Sequence, residues 1–297
     1  MFKGLSAFPL TPITSAGIDR QGFIKILERL TAAEVDSVGI LGSTGSYAYL
    51  TREQRKHVAA VAKQHTGDIP MMICVGAIST EQVLYLAEDA QQLGASALLL
   101  PPLSYQRLND DEVFCLFETV TQRASVPVCV YDNPGTTHFM FSDELHGHIA
   151  ALRGVKSIKI PGVPSQPEAA LARVRNLRGK IPHDVTIGIS GDDSAATGLN
   201  AGCEVWYSVC GGLFPEVAKE ITQAAAAKDS QKVMECSARL EPLWALFRKH
   251  GGSIRVIAAA AGIIGLTNTD CLPRPLLPLS ADNIAEIAGV LKQLALN

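Results

Sequence analysis

The chain has 297 residues, 47% of them apolar and 19% charged, so a large core or extensive subunit contact must absorb much of its surface. Twenty-six basic and 29 acidic residues leave a net charge of −3, with no basic run longer than two. That argues against nucleic acid and anionic membranes as partners, since both need concentrated positive charge, and leaves a small molecule as the expected ligand.

Short apolar runs recur along the chain, each followed by a longer stretch of helical period. They begin near Lys3 (KGLSAFPL), Asp36 (DSVGILG), Pro70 (PMMICVGA), Ser96 (SALLLPP), Pro127 (PVCVYDNPG), Val155 (VKSIKIPG), Asp184 (DVTIGISGDD) and Glu204 (EVWYSVCGG). The steps between starts are 33, 34, 26, 31, 28, 29 and 20 residues, the size of a β-α unit repeated eight times. Residues 20–34 place Phe23, Ile26, Leu27 and Leu30 on one helical face, and residues 80–93 do the same with Val83, Leu84, Leu86, Ala87 and Ala90. Thr51 and Gln54 form a capping-box pattern for a helix running to Gln64. Nearly continuous apolar strands indicate a sheet covered on both faces, and eight of them close most naturally into a parallel (β/α)8 TIM barrel. A doubly wound open sheet is the alternative, but no G-x-G-x-x-G follows the first strand. Residues 1–214 are expected to form the barrel core. Segments 215–228, 231–249, 253–264 and 281–295 read as a C-terminal helical extension packed on the same domain.

Seven cysteines, none in a C-x-x-C pair and several inside apolar runs, read as small core residues in a reducing compartment. The start Met1-Phe2-Lys3-Gly4 lacks the charged and apolar regions of a signal peptide, and no stretch is apolar enough to span a membrane. A soluble cytoplasmic protein is expected.

In such a barrel the chemistry lies at the carboxyl ends of the strands. Strand two ends in Gly42-Ser43-Thr44-Gly45-Ser46, strand five in Tyr131-Asp132-Asn133-Pro134-Gly135-Thr136-Thr137, and strand seven in Ser190-Gly191-Asp192-Asp193. Strand six holds Lys159 between Ile158 and Ile160, with Val155, Ser157 and Lys159 on one face and Lys156 on the other. An ammonium among aliphatic residues is costly, so a desolvated lysine drifts toward the neutral amine, which can attack a ketone carbon to form an imine. Taken alone, Lys159 fits better a side chain snorkelling to solvent or paired with an acid remote in sequence. Tyr131 can carry protons beside such an imine, though a strand-end tyrosine is also an ordinary packed residue. Two hydroxyls and free backbone amides in Gly42-Ser43-Thr44-Gly45 make a carboxylate cradle.

Taken together, the Gly-Ser-Thr-Gly turn, Tyr-x-Asn-Pro and the lone strand-six lysine resemble the dihydrodipicolinate synthase/N-acetylneuraminate lyase family over nearly the whole chain. The resemblance implies a metal-free, cofactor-independent class I enzyme acting through a pyruvate imine, usually a homotetramer. It assigns Lys159 as the Schiff-base lysine, Tyr131 as the proton relay, and Ser43 and Thr44 as the pair holding the pyruvate carboxylate, with Thr44 also touching the relay. It sets Gly191 at the pocket lining and Tyr207 near an apolar pocket position on strand eight, Trp206 being the neighbour one residue away. Tyr105, after Pro101-Pro102, matches a tyrosine donated across a dimer interface if one residue is inserted. Family synthases that condense pyruvate with aspartate semialdehyde carry an arginine two residues beyond the motif's Pro. This chain has Thr136 there, and a hydroxyl cannot replace a bidentate guanidinium. Ser46 replaces a common Glu after the cradle.

The seven histidines show no metal-ligand spacing, and His138 alone follows a loop near the site. Asp192 and Asp193 read as caps of the next helix. Three readings compete with a pyruvate-dependent lyase or aldolase: a dehydratase of 2-oxo sugar acids using the same imine, a non-catalytic pyruvate- or sugar-acid-binding barrel, and a metal-dependent aldolase.

Overall fold

The computed structural model describes residues 1–297. Eight parallel strands close a barrel: β1 Gly4–Ala7, β2 Ser37–Ile40, β3 Met71–Cys74, β4 Ala97–Leu100, β5 Val128–Tyr131, β6 Val155–Ile160, β7 Thr186–Ile189 and β8 Val205–Ser208. Each pairs with its sequence neighbours, and β1 pairs with β8 and β2 to complete the ring. A small hairpin, Ile13–Thr14 with Gly17–Ile18, follows β1.

Register places the chemistry. Val128 lies opposite Val155, but Cys129 lies opposite Ser157, so Lys156 is the unpaired residue of a bulge. Beyond it Tyr131 sits directly opposite Lys159, and Lys159 opposite Gly188 on β7. Lys156 reaches outward to Asp184, as the expected alternation requires.

The longer helices are α1 Arg20–Ala32, α2 Arg52–His65, α3 Thr80–Gln92, α4 Asp110–Arg123, α5 Asp143–Ala150, α6 Pro167–Arg178, α7 Ala195–Asn200 and α8 Pro215–Ala226, with one short helical turn, Pro134–Thr137, after β5. The Thr51–Gln54 capping box is present, with Gln54 N donating to Thr51 Oγ1 at 3.2 Å and Thr51 N to Gln54 Oε1 at 2.9 Å. Asn109 and Glu112 form a second one that the sequence reading passed over. All seven cysteines are free, and Cys115 on α4 is exposed rather than in the core. No helix is long and apolar enough to cross a membrane.

Helix α8 packs on β1 and β8 and completes the helical ring. The tail differs from expectation in one place. Residues 231–249 form two helices, α9 Ser230–Arg239 and α10 Glu241–Lys249, instead of one. Pro242 lacks the N–H that a continuous helix would donate back to its fourth predecessor, and it is well placed in the first turn of a new one. Helices α11 Ile254–Ile263 and α12 Ala281–Gln293 follow. Val233, Leu243, Trp244, Val256 and Ile287 extend the same apolar core that holds the barrel strands.

Candidate active site

Lys159 enters the barrel interior just below the strand ends and is 4% exposed. Its Nζ lies 4.8 Å from the centre of the Tyr131 ring, 4.9 Å from that of Phe8 and 5.4 Å from that of Tyr207. Local sequence makes this space. Gly188, beside Lys159 in register, has no side chain, and a Cβ there would stand 2.2 Å from the Tyr207 ring. Tyr207 is fixed from below, its hydroxyl 2.6 Å from Ser157 Oγ, which also accepts from Thr186 Oγ1 at 2.8 Å. Three aromatic faces give an ammonium some electrostatic comfort but no hydrogen-bond acceptor to replace water. No carboxylate is within salt-bridge distance of Nζ. Burial therefore wins, pushing the Lys159 pKa from 10.5 down to about 7, against weaker upward pulls from Cys129, Asp192 and Cys74.

The Tyr131 hydroxyl stands at the centre of a three-membered network. Ser43 Oγ is 3.1 Å away, and Asn133 Nδ2 donates to the phenol oxygen at 2.9 Å and to Ser43 Oγ at 3.3 Å. Burial pushes the phenol up to about 12, opposed by the hydrogen bonds from Ser43 and Asn133. The group is thus a neutral acid at pH 7, one that can give a proton and take it back. Ser43, not Thr44, is the hydroxyl that touches Tyr131; Thr44 is buried and lines the cavity wall beside it. Asn133 is a member of this network that the sequence motif alone does not explain; its spacing two residues after Tyr131 is the available signal.

The cradle is held under local strain. Leu41 and Ser46, on either side of Gly42–Gly45, adopt φ of +56° and +60°, a region that non-glycine residues seldom occupy. The amides of Ser46 and Tyr47 close the turn onto Ser43 and Gly42 carbonyls. Those of Ser43, Thr44 and Gly45 donate to no protein acceptor, which leaves three N–H groups beside two hydroxyls for an anion. Ser46 is buried with an unpartnered hydroxyl on the same wall.

Above these groups opens a cavity of about 680 Å³. Ser43, Thr44, Tyr131, Thr136, Lys159, Gly191 and Tyr207 all line it. Gly191 takes φ +114°, a conformation that side chains resist. Trp206 does not line the cavity: it is buried on the other side of β8, its indole N–H donating to Asp192 Oδ1 at 2.9 Å. Asp192 is not a cap of its own helix. Besides Trp206 it accepts from Ser208 Oγ at 3.2 Å, Val209 N at 3.3 Å and Cys210 N at 2.7 Å, pinning the turn after β8. Burial raises its pKa to about 6 despite these donors. Asp193 instead pairs with Arg248 at 3.7 Å. His138 is exposed and off the cavity, since a left-handed turn at φ +58° swings it away. Tyr105 is 86% exposed and does not reach this chain's cavity.

The C-terminal extension supplies a wall that sequence reading missed. Phe247 and Arg248 at the end of α10, Gly251–Ile254 and Leu276 all face the cavity. Arg248 and Lys159 are its only lining cations. No periodicity marks these positions, because their role comes from tertiary placement on the barrel.

Comparisons with known proteins agree with this arrangement. The chain is 43% identical to the dihydrodipicolinate synthase structure from Agrobacterium tumefaciens, with 99% of this chain and 98% of that one covered and a TM-score of 0.94. A curated 4-hydroxy-tetrahydrodipicolinate synthase from Parvibaculum lavamentivorans is 27% identical over 100% of this chain and 99% of its own length. An E. coli K12 prophage protein of the dihydrodipicolinic acid synthase family, solved in complex with pyruvate, shares the fold at TM-score 0.90 and 24% identity, with both chains fully covered. The Dihydrodipicolinate synthetase family profile matches residues 1–294, and with the barrel and its caged strand-six lysine this chain belongs to that family.

Proposed function

We propose that the protein is a pyruvate-dependent lyase or aldolase in which Lys159 forms a Schiff base with a 2-oxo acid. One observation carries the reading: a buried lysine with a pKa near 7, sharing its cavity with amides that have no protein acceptor and a neutral phenol. The carboxylate of the 2-oxo acid lies on the amides of Ser43–Gly45 with the Ser43 and Thr44 hydroxyls. The neutral amine of Lys159 attacks the ketone carbon. Tyr131 protonates the carbinolamine hydroxyl, which departs as water and leaves a protonated imine. The phenolate then takes a proton from the neighbouring methyl, giving an enamine whose carbon adds to an aldehyde; cleavage runs the same steps backwards.

Thr136 at the cavity edge offers no guanidinium for a second carboxylate, which disfavours aspartate semialdehyde as the partner. A dehydratase would use the same imine, but no separate observation favours it. We further propose a homo-oligomer acting in the cytoplasm. In support, Tyr49, Ile78 and Tyr105, on consecutive loops after β2, β3 and β4, are large exposed side chains. Tyr105 would then serve the partner's site.

The test is reductive trapping. Pyruvate with cyanoborohydride should convert one amine per chain, at Lys159, to a stable secondary amine detectable by peptide mass. Lys159→Ala should not label. Labelling retained in that variant, or a wild-type chain that never labels, overturns the assignment.

A further inference from the structure

Directly behind the relay lies a buried acid and base that the chemistry above does not use. Asp132 follows Tyr131 and, by strand alternation, points away from the barrel interior toward the helices. It is 5% exposed, and its side chain meets His146 of α5, which is fully buried, with Oδ2 3.4 Å from Nε2. Neither ring nitrogen has a hydrogen-bond partner, so the Asp132 carboxyl stands beside Nε2 as a close polar neighbour rather than a formed bond. The imidazole is stacked on Phe141, centroids 4.8 Å apart and planes 4° from parallel. The Asp132 backbone N–H donates to the Lys159 carbonyl at 3.0 Å. One residue therefore links the buried pair to Tyr131, Asn133 and Lys159 at once.

We infer that Asp132 and His146 share one proton and are positioning residues, holding the Tyr131 strand end against Lys159 while that proton is present. With the proton, an Asp132 carboxylic acid lies against a neutral imidazole, and the pair carries no net charge. Without it, a net negative charge is left in a dry layer between strand and helix, directly behind a phenol that must pass through its own anion. The charged groups facing the pair are Arg173 of α6 and Asp143 of α5, already tied to each other at 2.7 Å. Burial raises the Asp132 pKa to about 7, with Arg173 pulling down and Asp143 pushing up. Burial, seconded by Arg173, lowers that of His146 to about 3, so the imidazole does not take up a second proton in the working range. Proton loss from the pair thus falls near neutrality, where the Lys159 amine also titrates, but with opposite consequence. Deprotonating Lys159 switches the site on; deprotonating the pair switches it off.

The inference rests on the Schiff-base reading, and exchange of pyruvate methyl protons with D2O, followed by proton NMR, tests it without a second substrate. Wild type should show a bell-shaped rate between about pH 5 and 9. Asp132→Asn keeps the shape but cannot ionise. It should retain the rising limb and lose the falling one, so its rate relative to wild type climbs about tenfold from pH 6 to pH 8. Imidazole nitrogen NMR of wild type should show His146 shifts moving with a midpoint near neutrality, a readout that needs no variant. A wild-type profile without a falling limb, a uniform loss in Asp132→Asn at every pH, or a His146 resonance unchanged across neutrality overturns the inference. Absence of Lys159 trapping in wild type would instead sink the Schiff-base reading, while the imidazole titration would still decide on the pair.

Discussion

Replacing Tyr131 with Phe removes one oxygen and leaves the ring that walls Lys159. The lost hydroxyl has contacts with Ser43 Oγ at 3.1 Å and Asn133 Nδ2 at 2.9 Å, and these two remain within 3.3 Å of each other. Two neutral hydrogen bonds at about 1 kcal/mol each make the variant only about 1–2 kcal/mol less stable. The kinetic effect is larger, because of the three rings around Lys159 only Tyr131 carries a hydroxyl that meets Ser43. Loss of a positioned acid–base group slows proton transfer about 10²–10⁴-fold, and water admitted to the vacated space should hold the loss near the lower end. Methyl-proton exchange of pyruvate should therefore fall about 10²–10³-fold, equivalent to about 3–4 kcal/mol on the barrier. Cyanoborohydride trapping at Lys159 should still reach completion, only more slowly. Exchange within about threefold of wild type would refute the relay assignment.

Other expectations follow from the same geometry. Lys159→Met should stabilise the fold at pH 7, since the buried lysine has its pKa depressed from 10.5 to about 7. A base with a lowered folded pKa carries its full penalty below that value and none above the unfolded one, so wild-type stability should rise between pH 7 and 10.5. The gain in the variant at pH 7 is about 4 kcal/mol as an upper figure, read by chemical denaturation, and a less stable variant contradicts the account. Asp192→Ala strands four donors, two on β8 and two on the turn after it, and should cost about 3–5 kcal/mol, again by denaturation; a change under about 1 kcal/mol would show the pin to be dispensable. Wild type should fail to condense pyruvate with aspartate semialdehyde, and Thr136→Arg should gain measurable turnover; efficient wild-type condensation refutes the specificity argument. Arg248→Ala, at the mouth of the cavity, should weaken kcat/KM for a long 2-oxo acid by about tenfold, more than it weakens exchange of pyruvate itself.

The barrel was legible because burial on both faces leaves an apolar run in every strand and a 3.6-residue stripe in every helix. Lys159 stood out for the same reason, as a lone charge in one of those runs. What escaped depended on register and on contacts far apart in the chain. Strand alternation could not foretell that Ser43 rather than Thr44 meets Tyr131, nor that Trp206 faces Asp192 instead of the cavity. The break at Pro242 is readable from proline chemistry but masked by helical spacing that continues on both sides of it. The α10 wall, and the His146 ring behind Asp132, had no local signature, since their meaning arises only when distant segments pack together.

Everything in the mechanism requires a lysine amine that is largely uncharged at physiological pH. Nitrogen NMR of 15N-lysine-labelled protein, titrated without ligand and assigned by the loss of one resonance in Lys159→Met, measures this directly. The account predicts a Lys159 midpoint of about 7, set apart from the other lysines. A midpoint near the ordinary 10.5 would contradict it.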